Sequence, residues 1–321
     1  MSISDTWNRW RNLLVKQKAF LAVIAILIIM AFTKTGFYTS YNLLELLKAA
    51  AVLEILAFGV TLTVICGGCD LSIGSTMSLS GIIAILLMNH IPMWLAILAG
   101  VASGAVIGLI NGFFIVQQKT EPFIITLGTG MLIKGICQQL TDAKPVSPEN
   151  SDFVKLANGL AFGFLPNLIL VTIILMIIFH LILRYTAFGR NCYAIGGDYD
   201  VAVYSGIRVI WTKWMTYVIC GVTAAIGGIM LSSQLNTGSS IYGDNTALLV
   251  NCGVVVGGTS FAGGVGGIPQ TAIGLLLFSL LENAMNSLMI SPYVQQATKG
   301  ILIVLIIWLD CHGAKKKSED V

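Results

Sequence analysis

Two short stretches of the chain carry polar side chains directly behind paired glycines. Gly67-Gly68-Cys69 runs into Asp70-Leu71-Ser72, and Gly257-Gly258 runs into Thr259-Ser260. A third group, Glu282-Asn283 with Asn286, puts a carboxylate and two amides on adjacent turns of one helical face. Such groups can hold a polar solute by hydrogen bonding, and paired glycines let the backbone break and approach it closely. Asp70, Ser72, Thr259, Ser260, Glu282, Asn283 and Asn286 are therefore the expected polar lining. Hydrogen bonding between helices is the competing account for the last three.

The chemistry that is missing narrows the choice. His90, His180 and His312 are scattered, and there is no His-Glu-x-x-His, no Gly-x-Ser-x-Gly and no carboxylate pair on one helical face. No catalytic residue and no metal ligand set is expected. The seven cysteines are an odd number, mostly inside apolar runs, and Cys66-x-x-Cys69 has no second pair, so they read as small packing residues. No Gly-x-x-x-x-Gly-Lys-[Ser/Thr] occurs, so any use of ATP needs a partner's phosphate-cradling loop. A dispersed net charge of +3 gives no nucleic-acid footprint.

The surroundings of these residues are apolar. Of 321 residues 56% are hydrophobic and 10% charged, against about 25% charged in soluble domains. With a mean hydropathy of +0.87, most apolar side chains must face lipid or pack inside a membrane bundle. Hydropathy places ten runs: Ala19 to Phe32, read as an uncleaved first span, then 43–66, 71–89, 93–116, 123–140, 164–184, 212–233, 246–262, 269–289 and 294–310. Pro92, Pro122, Pro166, Pro269 and Pro292 stand at or just before run starts, where a helix has no use for the missing N–H. The expected fold is an all-α polytopic bundle with Gly-rich interruptions. Residues 19–310 form its single transmembrane domain, 1–18 an N-terminal segment and 311–321 a basic tail. Gly100, Gly104, Gly108 and Gly112 offer one small-residue face for close helix packing.

Lys and Arg set the orientation, because inner loops carry their excess. With the N-terminus inside, Arg9, Arg11, Lys16, Lys18, Lys119, Arg184, Arg190, Arg208, Lys213, Lys315, Lys316 and Lys317 fall inside and only Lys34, Lys144 and Lys155 outside. Both termini and residues 185–211 are thus expected in the cytoplasm. The ionisable residues near membrane depth, Glu45, Lys48, Glu54, Lys134, Glu282 and Lys299, are expected to face the bundle interior, with Glu45 and Lys48 pairing.

A weak internal repeat links the first two polar stretches. Residues 57–74 laid on 247–264 match at Ala57, Val60, Val64, Gly67, Gly68 and Gly74, at a constant offset of 190. On this count of spans both copies run in the same direction. Paired Gly-rich breaks at corresponding positions point to a solute route.

Together these stretches resemble the membrane permease subunits of ATP-binding-cassette importers for ribose, xylose, galactosides and related sugars. The resemblance spans nearly the whole chain. It rests on Gly67-Gly68-Cys69-Asp70-Leu71-Ser72-Ile73-Gly74-Ser75, Thr126-Leu127-Gly128-Thr129, and Phe188-Gly189-Arg190 leading to Ala194-Ile195-Gly196-Gly197 and Ser205-Gly206-Ile207. Gly257 to Gly264, and Ser291-Pro292-Tyr293-Val294-Gln295 to Lys299-Gly300, complete it. It implies a multi-pass protein of the bacterial inner membrane, with no cofactor of its own because ATP is bound by the partner. The implied partners are a cytoplasmic ATPase, a periplasmic sugar-binding protein and a second permease subunit, identical or closely related. Residues 186–208 would contact the ATPase through Gly189, Arg190, Gly196, Gly197, Asp198, Ser205 and Gly206. Two departures stand out: Cys69 replaces the usual Ile, and Asp198 to Tyr204 replaces a stretch closer to N-E-E-A-A-R-L. From composition alone, an autonomous secondary transporter or a facilitative channel remains the alternative.

Overall fold

The structure is a computed structural model describing residues 18–34 and 36–319, with side chains for 19–34 and 36–305. Residues 1–17 of the expected N-terminal segment and the side chains of the tail 311–321 lie outside it, although the last helix itself runs on to Glu319.

Among the described residues thirteen helices follow one another: α1 (Lys18–Thr33), α2 (Ser40–Ile65), α3 (Ile73–Met88), α4 (Met93–Gly112), α5 (Pro122–Thr141), α6 (Phe153–Asn158), α7 (Asn167–Tyr185), α8 (Ala187–Gly197), α9 (Tyr199–Tyr204), α10 (Val209–Leu235), α11 (Thr246–Val256), α12 (Ile268–Ser287) and α13 (Pro292–Glu319). A π-turn, Phe113–Gln117, prolongs α4. The ten hydropathy runs fall on α1 to α5, α7 and α10 to α13. Among the described residues five segments are long and apolar enough to cross a membrane by themselves: Met93–Gln117, Pro122–Thr141, Asn167–Tyr185, Val209–Leu235 and Ile268–Ser287. Several boundaries differ from expectation, three of them for reasons the backbone shows. The connection from α5 to α7 holds α6 and a two-stranded ribbon, β1 (Leu160–Ala161) against β2 (Leu165–Pro166), so α7 starts at Asn167 rather than 164. Asp70 accepts from the Ser72 amide in a tight turn, which delays α3 to Ile73. The run 246–262 is helical only to Val256, because Gly258 and then Gly263, Gly264 and Gly266 take positive φ.

Helix α10 is the axis of the bundle, enclosed by α2, α3 and α4. The glycine face of α4 is what permits this. A Cβ on Gly104 would strike the backbone of Gly221, one on Gly108 the backbone of Tyr217, and one on Gly112 the ring of Trp214. Gly228 and Gly81 bring α10 equally close to Met77 and Ser232, so α3 and α10 run side by side in the same direction. Small residues make such backbone contact possible where lipid offers no hydrophobic drive to association.

The two matched stretches lie close together and end in similar caps, but the caps correspond at an offset of 191, one residue out of register with the sequence match. Ala57, Val60 and Val64 of α2 share one core cluster with Val250 and Val254 of α11. Both helices end in the same cap. Gly67 at φ 70° follows Cys66, with Gly67 N–H donating to Val64 O and Gly68 N–H to Thr63 O. Gly258 at φ 112° follows Gly257, with Gly258 N–H donating to Val255 O and Thr259 N–H to Val254 O. Each is a Schellman motif, whose left-handed residue is best filled by glycine. Thr61 and Asn42 of α2 meet Thr271 and Asn283 of α12, while Gly253 and Gly257 lie against Leu275 and Gln270. Both helices are therefore antiparallel to α12 and parallel to each other.

Candidate functional site

Residues 236–245, between α10 and α11, do not form an outer loop but turn back into the bundle. Val146 and Gly238 exchange two backbone hydrogen bonds of 2.9 and 2.8 Å, and further on the Gly243 N–H donates to Ser78 Oγ at 3.0 Å. Gly243 lies against the backbone of Gly74, where neither residue has room for a Cβ. This leg therefore descends to the level of the first turns of α3, and α11 begins inside the bundle. Its 11 residues span only about 17 Å of a hydrocarbon core about 30 Å thick. An interrupted crossing of this kind exposes backbone polar groups at depth, which is tolerated where they line a cavity.

Two cavities flank its start. The larger, about 720 Å³, is lined by Asp244, Asn245, Thr246 and Leu249 together with Glu282, Gln295, Gln296 and Lys299. The smaller, about 240 Å³, lies on the other side of Asp244 and Asn245, against Ser75, Leu127, Met131 and Lys134 of α3 and α5. Each holds one ion pair: Lys134 Nζ to Asp244 Oδ1 at 2.7 Å, and Lys299 Nζ to Glu282 Oε2 at 2.8 Å. These pairs account for three of the ionisable residues expected at depth, and Lys48 with Glu45 at 2.9 Å accounts for two more. Most of the lining is apolar, with the charges paired and with Asn245, Thr246, Gln295 and Gln296 as the uncharged polar side chains of the larger cavity.

Of the residues expected to line a route, only Glu282 lines one of these cavities. Asn283 exchanges hydrogen bonds of 3.0 and 2.9 Å with Asn42, and Asn286 accepts from Gln295 at 2.8 Å, so these amides tie helices together. Asp70 is buried. Its Oδ1 accepts from the Ser72 amide at 2.8 Å and hydroxyl at 2.7 Å, and Ser72 Oγ accepts from Asn111 of α4 at 2.9 Å. Asn251 of α11 donates to the Asp70 carbonyl at 3.0 Å, joining the first break to the second half of the repeat. Thr259 is buried and Ser260 half-buried in the second break, where Ser260 holds its own loop by accepting from the Ala262 N–H at 3.2 Å. Asp244, Asn245, Gln295 and Gln296 were not singled out from sequence, though the turn-forming run Tyr242-Gly243-Asp244-Asn245 before α11 carried a signal.

The two breaks meet a third element. Gly264 N–H donates to Ile65 O at 2.9 Å, and Gly196, near the end of α8, fits between them. A Cβ on Gly196 would overlap both the Ile65 carbonyl oxygen and the Gly264 nitrogen. Tyr193 Oη donates to Gly266 O at 2.8 Å, and partial burial raises its phenol above the ordinary value. Residues 186–208 are thus a capped helical pair and not a slack connector. Thr186 Oγ accepts from the Gly189 N–H to cap α8, and Asp198 Oδ1 accepts from the Val201 N–H at 2.9 Å to cap α9. Gly189 packs on the carbonyls of Ile182 and Leu183, Arg190 lines a cavity between α7 and α12, and Ser205-Gly206 ends α9 with Gly206 at φ 77°. A Cβ on Gly197 would meet open space. The outer side of α9 exposes Val201 (59%) and Tyr204 (90%).

Residues 42–307 match the family described as branched-chain amino acid transport system / permease component. The chain belongs to this permease family. Among its relatives, a ribose import permease protein of Bacillus subtilis is 35% identical, covering 93% of this chain and 92% of its own. An L-arabinose transport system permease protein of Escherichia coli is 34% identical over 94% and 92%. A xylose transport system permease protein of Haemophilus influenzae is 29% identical over 94% and 98%. No solved structure matches the permease. The helical membrane bundle read from composition is thus that of a permease family, and the expected resemblance holds over most of the chain.

Proposed function

We propose that the permease is the membrane subunit of an ATP-binding-cassette importer, carrying a sugar of the pentose or hexose class inward by alternating access. The names of its relatives support the class of solute. The observation that carries the mechanism is the seat of Gly196 between the two helix breaks. A push on α8 from the cytoplasm reaches Ile65 and Gly264 directly through backbone contact, without a flexible side chain to absorb it. Ile65 ends α2 and Gly264 sits in the loop that follows α11, and α11 leads from there to the cavities at Asp244 and Asn245. A periplasmic binding protein delivers the sugar, ATP is held by the partner ATPase, and both termini and residues 185–211 lie in the cytoplasm. The cavities open on a face where α5 exposes Leu127 and Met131 and α13 exposes Val304, an apolar rim suited to a second permease subunit, identical or closely related.

The exposed apolar side of α9 is the contact for the ATPase in this reading. Tagged permease purified in mild detergent is expected to carry a cassette ATPase with it, and Tyr204→Asp is expected to lose the ATPase while still inserting. Retention of sugar uptake in cells with no ATPase bound to the permease would contradict the reading.

A further inference from the structure

The cavity that Arg190 lines has no place in the transport mechanism. Of about 460 Å³, it lies between the last turns of α7, the start of α8 and the first turn of α12, and its lining includes His180, Arg184, Arg190, Tyr193 and Gln270. No carboxylate lines it. Among the described residues neither arginine forms an ion pair, and Arg184 lies over the Tyr185 ring at 5.6 Å. Two uncompensated guanidinium groups around one hollow call for an anion, and their planar forks suit phosphate oxygens.

The approach to the cavity identifies the anion. Helix α7 exposes Ile173, Ile174, Ile177, Ile178 and Leu181 along one side. Ile173 and His180, and likewise Ile177 and Arg184, are seven residues apart and so share that side, about 10.5 Å along the axis. An apolar stripe in the hydrocarbon region leads straight to a basic cavity at the helix end, the depth of the lipid headgroups. A soluble phosphate would have no use for the stripe, whereas a phospholipid lays its acyl chain along it.

We propose that this cavity binds the headgroup of an anionic phospholipid, with Arg184 and Arg190 on the phosphate and an acyl chain on the isoleucine side of α7. Arg190 then serves lipid rather than the ATPase contact that the family resemblance implies. The proposal is independent of the solute carried, because it is read from lipid retention and not from uptake.

The test is native mass spectrometry of the assembled importer titrated with phosphatidylglycerol or phosphatidylethanolamine. Phosphatidylglycerol is expected to bind the wild type more tightly. Taking each interfacial arginine at about 1 kcal/mol, Arg184→Gln with Arg190→Gln should weaken it about thirty-fold, and Lys119→Gln, an exposed inner-loop control, should leave it unchanged. Equal binding of the two lipids, or undiminished phosphatidylglycerol binding by the double variant, would overturn the proposal. Displacement of the lipid by millimolar glycerol 3-phosphate in the wild type would also overturn it and assign the cavity to a soluble phosphate monoester. Loss of the ATPase from the double variant with lipid binding intact would give the arginines to the ATPase instead.

Discussion

Replacing Gly196 with alanine adds one methyl group at the tightest point of the junction between α8 and the two helix breaks. The new carbon would overlap the Ile65 carbonyl on one side and the Gly264 nitrogen on the other, both backbone atoms that cannot rotate away. It would also force apart the 2.9 Å hydrogen bond between them, which holds the two helix breaks together. Overpacking a tight site costs about 1–3 kcal/mol, and the lost hydrogen bond adds about 1 kcal/mol, so Gly196→Ala should destabilise by roughly 2–4 kcal/mol. Gly197, the next residue, has open space at its Cβ position, and alanine there should change stability by no more than about 0.5 kcal/mol. The pair isolates crowding from any general intolerance of the helix. Thermal unfolding in detergent measures the first effect, and ATP hydrolysis against sugar uptake measures the second. Gly196→Ala is expected to hydrolyse ATP with little uptake, and Gly197→Ala to behave as wild type. If the two variants are indistinguishable in both measurements, α8 does not act through the helix breaks. Gly206 is a poorer probe, because at φ 77° any side chain there is strained whatever its role.

Other positions make separate demands. Lys134→Gln should leave Asp244 without a partner at membrane depth and reduce uptake. The charge-reversed pair Lys134→Asp with Asp244→Lys should recover most of it, a pattern that uptake assays of the three proteins would show or refute. Asn283→Ala should cost about 1–3 kcal/mol by stranding Asn42, whereas leucine at both positions should cost far less, as comparative unfolding would reveal. Tyr193→Phe should loosen α8 from Gly266 by about 1 kcal/mol without changing the fold, visible as faster amide exchange in residues 257–267. Impermeant thiol reagent on intact cells should label a cysteine placed at Phe162 and spare one at Asp198; the reverse pattern would invert the topology.

The sequence carried most of the architecture because a membrane bundle announces its spans by apolar length, and its helix starts by proline. Ten runs became helices, and the spacing of Glu45 and Lys48 was enough to expect their pairing, since both lie on one helix. What was hidden depends on distant backbone. Gly196 and Gly197 are indistinguishable as letters, and only the arrival of Ile65 and Gly264 makes the first one crowded. Lys134 stood out as an ionisable residue at depth, yet its partner is 110 residues away in a leg that hydropathy reads as a loop. Asp70 and Thr259 were expected on a route because polar residues behind glycines suit one. Asp70 is instead enclosed through Ser72 with Asn111 of α4 and by Asn251 of α11, and Thr259 lies against Gly266 of its own loop.

The most direct test of the account is sugar uptake into proteoliposomes of defined composition. The permease with its cassette ATPase and binding protein should accumulate labelled ribose, arabinose or xylose only when ATP is supplied, and the permease alone should accumulate none under an ion gradient. Uptake by the permease alone, driven by protons or sodium, would contradict the account and establish an autonomous transporter.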